Sequence, residues 1–160
     1  MASKSENVFR FDSPPETLLA VLIAADFQIA REKAMGSLEA RVEEKTRSDT
    51  RLVFDVHTVD YARGMTGIDR SKTENNRTEY DWDLKVRRAG WTYHGQSNKM
   101  ARVWGTIRLE PEGSGSKLTN SFEVEVKIPL MGGKIEKLVL KEVEKSWPIY
   151  EKTIRTFLAK

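Results

Sequence analysis

The titratable residues that stand out as candidates for chemistry are few: His57, His94, Asp55, Arg88 and Glu142. General acid–base catalysis needs one such group as a base and another as a polarising donor, both within hydrogen-bond reach of one substrate. None of the five falls in a recognisable catalytic spacing. The two histidines are too far apart in sequence to form a helical metal pair, so a metal site would rest entirely on the fold bringing them together. There is no Gly-rich phosphate loop and no nucleophile elbow. Without cysteine, a thiol nucleophile, a disulfide framework and a zinc–cysteine site also drop out. No catalytic residue, metal ligand or cofactor is therefore assigned.

Composition bounds the remaining function classes. The 160 residues are 39% hydrophobic with no break in composition, which fits one domain over 1–160 with room for a core and a cavity. Lys and Arg number 27 against 24 Asp and Glu. This small excess is spread along the chain rather than gathered in an arm, so nucleic-acid binding is not supported. The opening Met1-Ala2-Ser3-Lys4-Ser5-Glu6-Asn7 has no apolar signal core, and no run approaches the ~18 apolar residues of a membrane span. These features read as a soluble, cytoplasmic chain and set no oligomeric state. Asn76-Arg77-Thr78 matches a glycosylation sequon, which a cytoplasmic chain would leave unmodified.

The element that must position any site is the last quarter of the chain. Pro129 cannot donate to a strand ladder, Gly132-Gly133 supplies freedom for a sharp turn, and a helical pattern then runs over 133–159. At ~1.5 Å per residue that rod is about 40 Å long. Its apolar face is Ile135, Leu138, Val139, Val143, Ile149, Tyr150, Ile154 and Phe157, which a chain of this size buries only against its own sheet. Glu136 falls where a first-turn acid complements the helix dipole. Pro148 removes one helical hydrogen bond, which predicts a kink or break near Trp147, a side chain placed to cap one end of a cavity.

Two polar features of this helix bear on function. Glu142 falls within the apolar face, where an inward carboxylate either serves a ligand, as an orienting group, acid or base, or pairs with a sheet arginine or with solvent. Lys134, Lys137, Lys141 and Lys145 line the outer side. They form either a solvated face or a transient contact with anionic lipid head groups during ligand exchange.

Upstream, Phe9 and Phe11 alternate with Val8 and Arg10, which predicts a short opening strand over 8–12. Ser13-Pro14-Pro15-Glu16 reads as a capping box that starts a helix with Leu18, Leu19, Val21, Leu22 and Ile23 on its buried side. Asp26 caps a second short helix through Ile29, Ala30 and Ala34 that Gly36 ends. From Ser37 onward the period changes to two, and six strands fit near 38–47, 51–62, 78–88, 91–97, 102–110 and 117–128. In the strand over 51–62 the apolar residues change parity between Val56 and Val59, which predicts a bulge near His57 and Thr58. The segment Gly64 to Asn76 is long for a hairpin and reads as a rim loop with a job or as a mobile one. Gly105 either relieves crowding or bends its strand.

A strand, a helix pair, a six-strand meander and one long terminal helix is the order of the helix-grip fold. The segments Val103-Trp104-Gly105-Thr106-Ile107-Arg108-Leu109-Glu110-Pro111 and Val126-Lys127-Ile128-Pro129-Leu130-Met131-Gly132-Gly133-Lys134-Ile135-Glu136-Lys137 resemble a bacterial family of unknown function. That family lies in the START-like superfamily, beside polyketide cyclases, lipid-transfer domains and pollen-allergen-type proteins. The resemblance implies an α+β fold, a curved seven-stranded antiparallel sheet wrapped around the terminal helix, with a cavity that receives an apolar or amphipathic small molecule. It brings no catalytic signature.

If the sheet curls around the helix, its inward rows predict the lining: Phe54, Tyr80, Trp82, Leu84, Tyr93, Val103, Ile107, Phe122 and Val124, facing Leu138, Val139, Glu142 and Trp147. The expected function is binding or carriage of a lipid-, sterol- or polyketide-like molecule. A cyclase or lyase acting on such a ligand and a protein-interaction module remain as alternatives.

Overall fold

A computed structural model describes residues 2–64, 67–97 and 99–160. Met65 and Thr66 of the expected rim loop and Asn98 of an expected turn lie outside the described residues. The chain runs β1 (Ser3–Phe11), α1 (Pro15–Leu22), α2 (Ala25–Ala34), β2 (Glu39–Arg47), β3 (Arg51–Gly64), β4 (Gly67–Asp83), β5 (Arg88–His94), β6 (Ala101–Glu112), β7 (Gly115–Val126) and α3 (Gly132–Leu158). The seven strands form one curved antiparallel sheet in the order β1-β7-β6-β5-β4-β3-β2. Six consecutive strands make a meander, and β1 returns to pair with β7. This is the helix-grip arrangement expected from the sequence.

Register explains which side chains meet. Phe9 and Phe11 lie opposite Leu118 and Ser116, Leu118 opposite Leu109, and Val124 opposite Val103. The same face continues through Tyr93 opposite Val103, Tyr80 opposite Trp91, Phe54 opposite Tyr80 and Val42 opposite Val56. At one end of this concave face, Leu18, Leu22 and Phe27 from the helix pair meet Leu52, Trp82, Leu109 and Leu118, each 1% exposed or less. Burying each of these side chains stabilises the fold by about 1.5–3 kcal/mol, and together they make this end a filled core.

Helix α3 packs on β1 and β7 and on α1 and α2, with no close backbone approach to β2–β6 among the described residues. Two anchors hold it. In its second half Tyr150 lies edge-on to Phe9 at 5.6 Å and to Phe27 at 6.1 Å, and Ile154 is fully buried. Near its start Glu136, 2% exposed, accepts the Ser3 hydroxyl at 2.5 Å and the Val126 amide at 2.9 Å. Gly132 is needed there because a Cβ would stand 2.3 Å from the Val126 carbonyl.

Several local expectations are corrected. The capping box does not form: the N-cap of α1 is Pro14, without a side-chain bond, and Glu16 turns away to Arg87 at 2.9 Å. The N-cap of α2 is Ala24 rather than Asp26. The expected rim loop is mostly strand, since β4 begins at Gly67, and the shift in pairing falls at Tyr61/Ala62 rather than at His57 and Thr58. Helix α3 continues through Pro148 without a break. Glu136 lies beyond the first turn and serves as a tether. The positive φ at the helix entry belongs to Leu130, at 66°, not to the glycines.

The Ser3 hydroxyl and the Val126 amide hold the Glu136 carboxyl below the usual glutamate range, against burial. A depressed folded-state pKa means that this stabilisation is complete above the ordinary glutamate range and fades as pH falls through and below it. In Glu136→Gln, urea denaturation should therefore show a stability deficit at neutral pH that narrows below about pH 4.

Candidate ligand-binding site

The concave face changes character along its length. Beyond the filled end, the inward row of β3 reads Leu52, Phe54, Val56, Thr58 and Asp60, and that of β4 reads Trp82, Tyr80, Thr78 and Asn76. Both rows pass from apolar to polar in the same direction. Asp60 accepts Thr58 Oγ1 at 2.8 Å, Asn76 Nδ2 at 2.7 Å and the Ser37 hydroxyl. The parity change that suggested a bulge is thus a chemical one: the strand continues, and its inner side becomes polar.

Helix α2 brings a second polar group to this end. Phe27, Gln28 and Arg31 share one side of the helix at i, i+1 and i+4, and Phe27 and Gln28 are buried. The Arg31 guanidinium lies over the Tyr150 ring, 5.3 Å from its centroid, and pairs with Glu32 at 2.7 Å. These two side chains keep 21% and 17% of their surface accessible, while their Arg31 Nε and the nearby Gln28 Oε1 and Asn120 Oδ1 are buried without a protein partner. Burial opposes the Arg31 charge, but the oxygens of Tyr80, Glu32 and Tyr150 outweigh it and keep the guanidinium charged. Burial raises the Glu32 pKa, and Asp60 adds to the shift against the pull of Arg31. Burial also pushes the Tyr80 hydroxyl up to about 12, and raises Tyr93, with Asp60 as the next contributor.

The sheet residues expected to line a cavity do share the concave face. Phe54, Tyr80, Trp82, Ile107 and Val124 are buried among other side chains, between 0% and 7% exposed. Phe54 stacks on Tyr80 at 5.1 Å. Tyr93, Val103 and Phe122 are only half-buried, as is Leu84 at the far end of β4. Val139 and Val143, on the inward side of α3, are half-buried too. Trp147 is half-buried as well, packing on Phe9 at 6.0 Å and donating to the Ser5 hydroxyl at 3.3 Å.

Two helix residues are not where the sequence pattern put them. Leu138 is 58% exposed, and Glu142 faces solvent beside Lys145 at 3.3 Å. The inward side of α3 is Glu136, Val139, Val143, Trp147, Tyr150 and Ile154, rotated away from both. The inward carboxylate is therefore Glu136. Trp91, absent from the expected lining, stands in it: it lies opposite Gly105 and 5.6 Å from Phe122.

The catalytic candidates lie elsewhere. His94 and Arg88 are exposed on β5, and His57 sits on the convex face, bonded to Glu43 at 2.9 Å. Glu43, Asp55 and His57 are close enough to share an ion. Lys45 and Arg77, however, already face Asp55 at 3.6 and 3.5 Å, so the charge a cation would supply is present.

With this geometry in hand, relatives can be weighed. A family described as proteins of unknown function, DUF2505, matches residues 6–158. The chain belongs to this family. No curated protein matches the DUF2505 chain by sequence. Its fold is shared with the Zhui aromatase/cyclase of Streptomyces sp. R1128, at 12% identity and a TM-score of 0.68, covering 99% of this chain and 94% of that one. Ara h 8.0201 aligns at 16% identity and 0.66, over 99% of each chain. A START superfamily protein from Mycobacterium smegmatis aligns at 15% and 0.60, over 96% and 98%. No helix among the described residues of the DUF2505 chain is long and apolar enough to cross a membrane.

Gly105 has one role that the structure makes specific. A Cβ there would lie 2.0 Å from the Ser121 carbonyl and 2.6 Å from the Trp91 ring, so the glycine relieves crowding and lets the indole lie flat across β6. Gly105→Ala should lower stability by about 1–3 kcal/mol or more, as overpacking against backbone does. Thermal unfolding should be accompanied by a changed tryptophan fluorescence spectrum.

Proposed function

We propose that the protein binds or carries an amphipathic small molecule between the concave sheet and the first half of α3. The observation that supports this most is the contrast along one face. One end is packed solid, while Trp91, Tyr93, Val103 and Phe122 on the sheet and Val139 and Val143 on α3 are only half-buried. An apolar lining with a few convergent polar groups suits ligand binding. At the polar end Arg31 is already neutralised by Glu32, and Asp60 adds negative charge. A ligand with hydroxyl or amine donors fits better there than a free acid. Lys134, Lys137, Lys141 and Lys145 give α3 a cationic outer side, suited to transient contact with anionic lipid head groups during exchange. As a single domain the chain would do this alone.

Native mass spectrometry of the purified protein should reveal a retained adduct of lipid-like mass. In Val139→Phe that adduct should be lost while stability changes by less than about 1.5 kcal/mol, because a side chain entering vacant space causes little overpacking. A large stability loss on this substitution, with no adduct in the parent protein, would mean the gap is ordinary core.

A lyase or cyclase acting on the same ligand is the second reading, and the Arg31–Glu32 pair is what favours it. A charged guanidinium can polarise a carbonyl, and a carboxyl with a raised pKa can move a proton nearby. Glu32→Gln should then abolish turnover of a polyketide-like substrate yet leave adduct retention intact. Unchanged turnover would remove Glu32 from that role.

A further inference from the structure

Leu130 is 99% exposed and holds a left-handed backbone, φ 66°. Glycine or asparagine would suit that conformation at less cost, and any polar residue would suit the exposure better. A residue that is disfavoured on both counts calls for a role outside the folded chain. Leu130 has company. Met131 is 39% exposed, Leu138 58% and Met100 50%. Met100 is brought alongside by its carbonyl, which accepts the Lys127 amide at 2.9 Å. These residues sit at the sheet end where β7 stops and β6 starts, the same end at which Trp91, Tyr93 and Phe122 remain half-buried.

Cations line the apolar tip on one side. At 100° per residue Lys134, Lys137 and Lys141 run along the same side of Leu138, with Glu142 on the other, and none of the three lysines makes an ion pair among the described residues. Lys127 and Arg102 stand beside them, each only 3.9 Å from the shared Glu125. An acidic protein would satisfy the lysines but leave the projecting leucine and methionines without a purpose. An anionic bilayer satisfies both, with head groups for the lysines and acyl chains for the apolar side chains.

We infer that Leu130, Met131, Met100 and Leu138, bordered by Lys127, Lys134, Lys137 and Lys141, form a docking tip that inserts into the surface of an anionic lipid bilayer. The inference rests on the carrier reading, since it gives the bound molecule a reservoir beside the unfilled half of the grip.

The full chain is mixed with large unilamellar vesicles of phosphatidylcholine, with and without about 30% phosphatidylserine, and sedimented. It should co-sediment with the anionic vesicles and be released by high salt. Leu130→Asn, which suits the backbone, should weaken this roughly tenfold without lowering Tm, and Lys137→Gln roughly fivefold. The tip is overturned by a chain that ignores anionic vesicles, or by binding that Leu130→Asn leaves unchanged. It is equally overturned by a concentration-dependent dimer that the same substitution dissolves, or by Leu130-dependent binding to polyglutamate. A cavity adduct retained in Leu130→Asn alongside lost vesicle binding supports the tip as separate from the cavity. Vesicle binding by a protein that never carries an adduct supports the tip and removes the carrier reading alone.

Discussion

Everything in the grip depends on how α3 is held. Its second half is clamped by aromatic edges, with Phe27 contacting Tyr150 at 6.1 Å and Phe157 at 5.6 Å, and Ile154 inserted without exposure between helix pair and sheet. Such pairs add about 0.5–1.5 kcal/mol each beyond the area they bury. The first half has one strong fastening, Glu136, which reaches the strand ends at Ser3 and Val126. Its close backbone approaches are to β1, β7, α1 and α2, with none to β2–β6 among the described residues. Along α3 the inward side chains shorten from Tyr150 and Ile154 in the clamped half to Val139 and Val143 in the first half, while the sheet there still carries Trp91, Tyr93 and Phe122, all half-buried.

In the carrier reading, that separation would let stability and recognition occupy different residues. Leu18, Leu22, Leu109, Leu118 and Ile154 are as buried as side chains can be, and substitutions among them act on folding. Polar atoms without protein partners occur at both ends, Trp82 Nε1 and Arg87 Nε as well as Arg31 Nε, Gln28 Oε1 and Asn120 Oδ1. Buried groups of that kind are costly unless something pairs with them. Arg31 itself lies over the Tyr150 ring, on the clamped side of the grip.

The architecture was legible in the sequence because its signals are long and mutually consistent. Alternation in β7, with Leu118, Val124 and Val126 inward, and the turn into α3 each repeat one physical pattern over many residues. What failed was local. The helical face was centred about one position off, so that Leu138 and Glu142 were turned inward and Glu136 outward. Several choices of stripe fit a helix that carries apolar residues around much of its circumference, and only contact with β1 and β7 decides between them. Ser13 and Glu16 have capping chemistry, but the helix starts one residue later, at a Pro14 N-cap, and the Glu16 carboxylate is claimed by Arg87. Local motifs lose to such long-range competition without leaving a trace in their own spacing.

The polar end of the site was missed for a different reason. Thr58 and Asp60 obey the strand period faithfully, but a reading that equates inward with apolar sees their positions as an interruption and invents a bulge. Arg31 carries a signal of the same kind in its i+4 relation to Phe27, although a charged residue on a short helix is ordinarily solvated. In both cases the period was intact and only the chemistry at the expected core positions changed. A stretch that keeps its geometric rhythm while its inward residues turn polar, as β3 and β4 do here, must give those residues polar partners, and Asp60 does so with Thr58, Asn76 and Ser37.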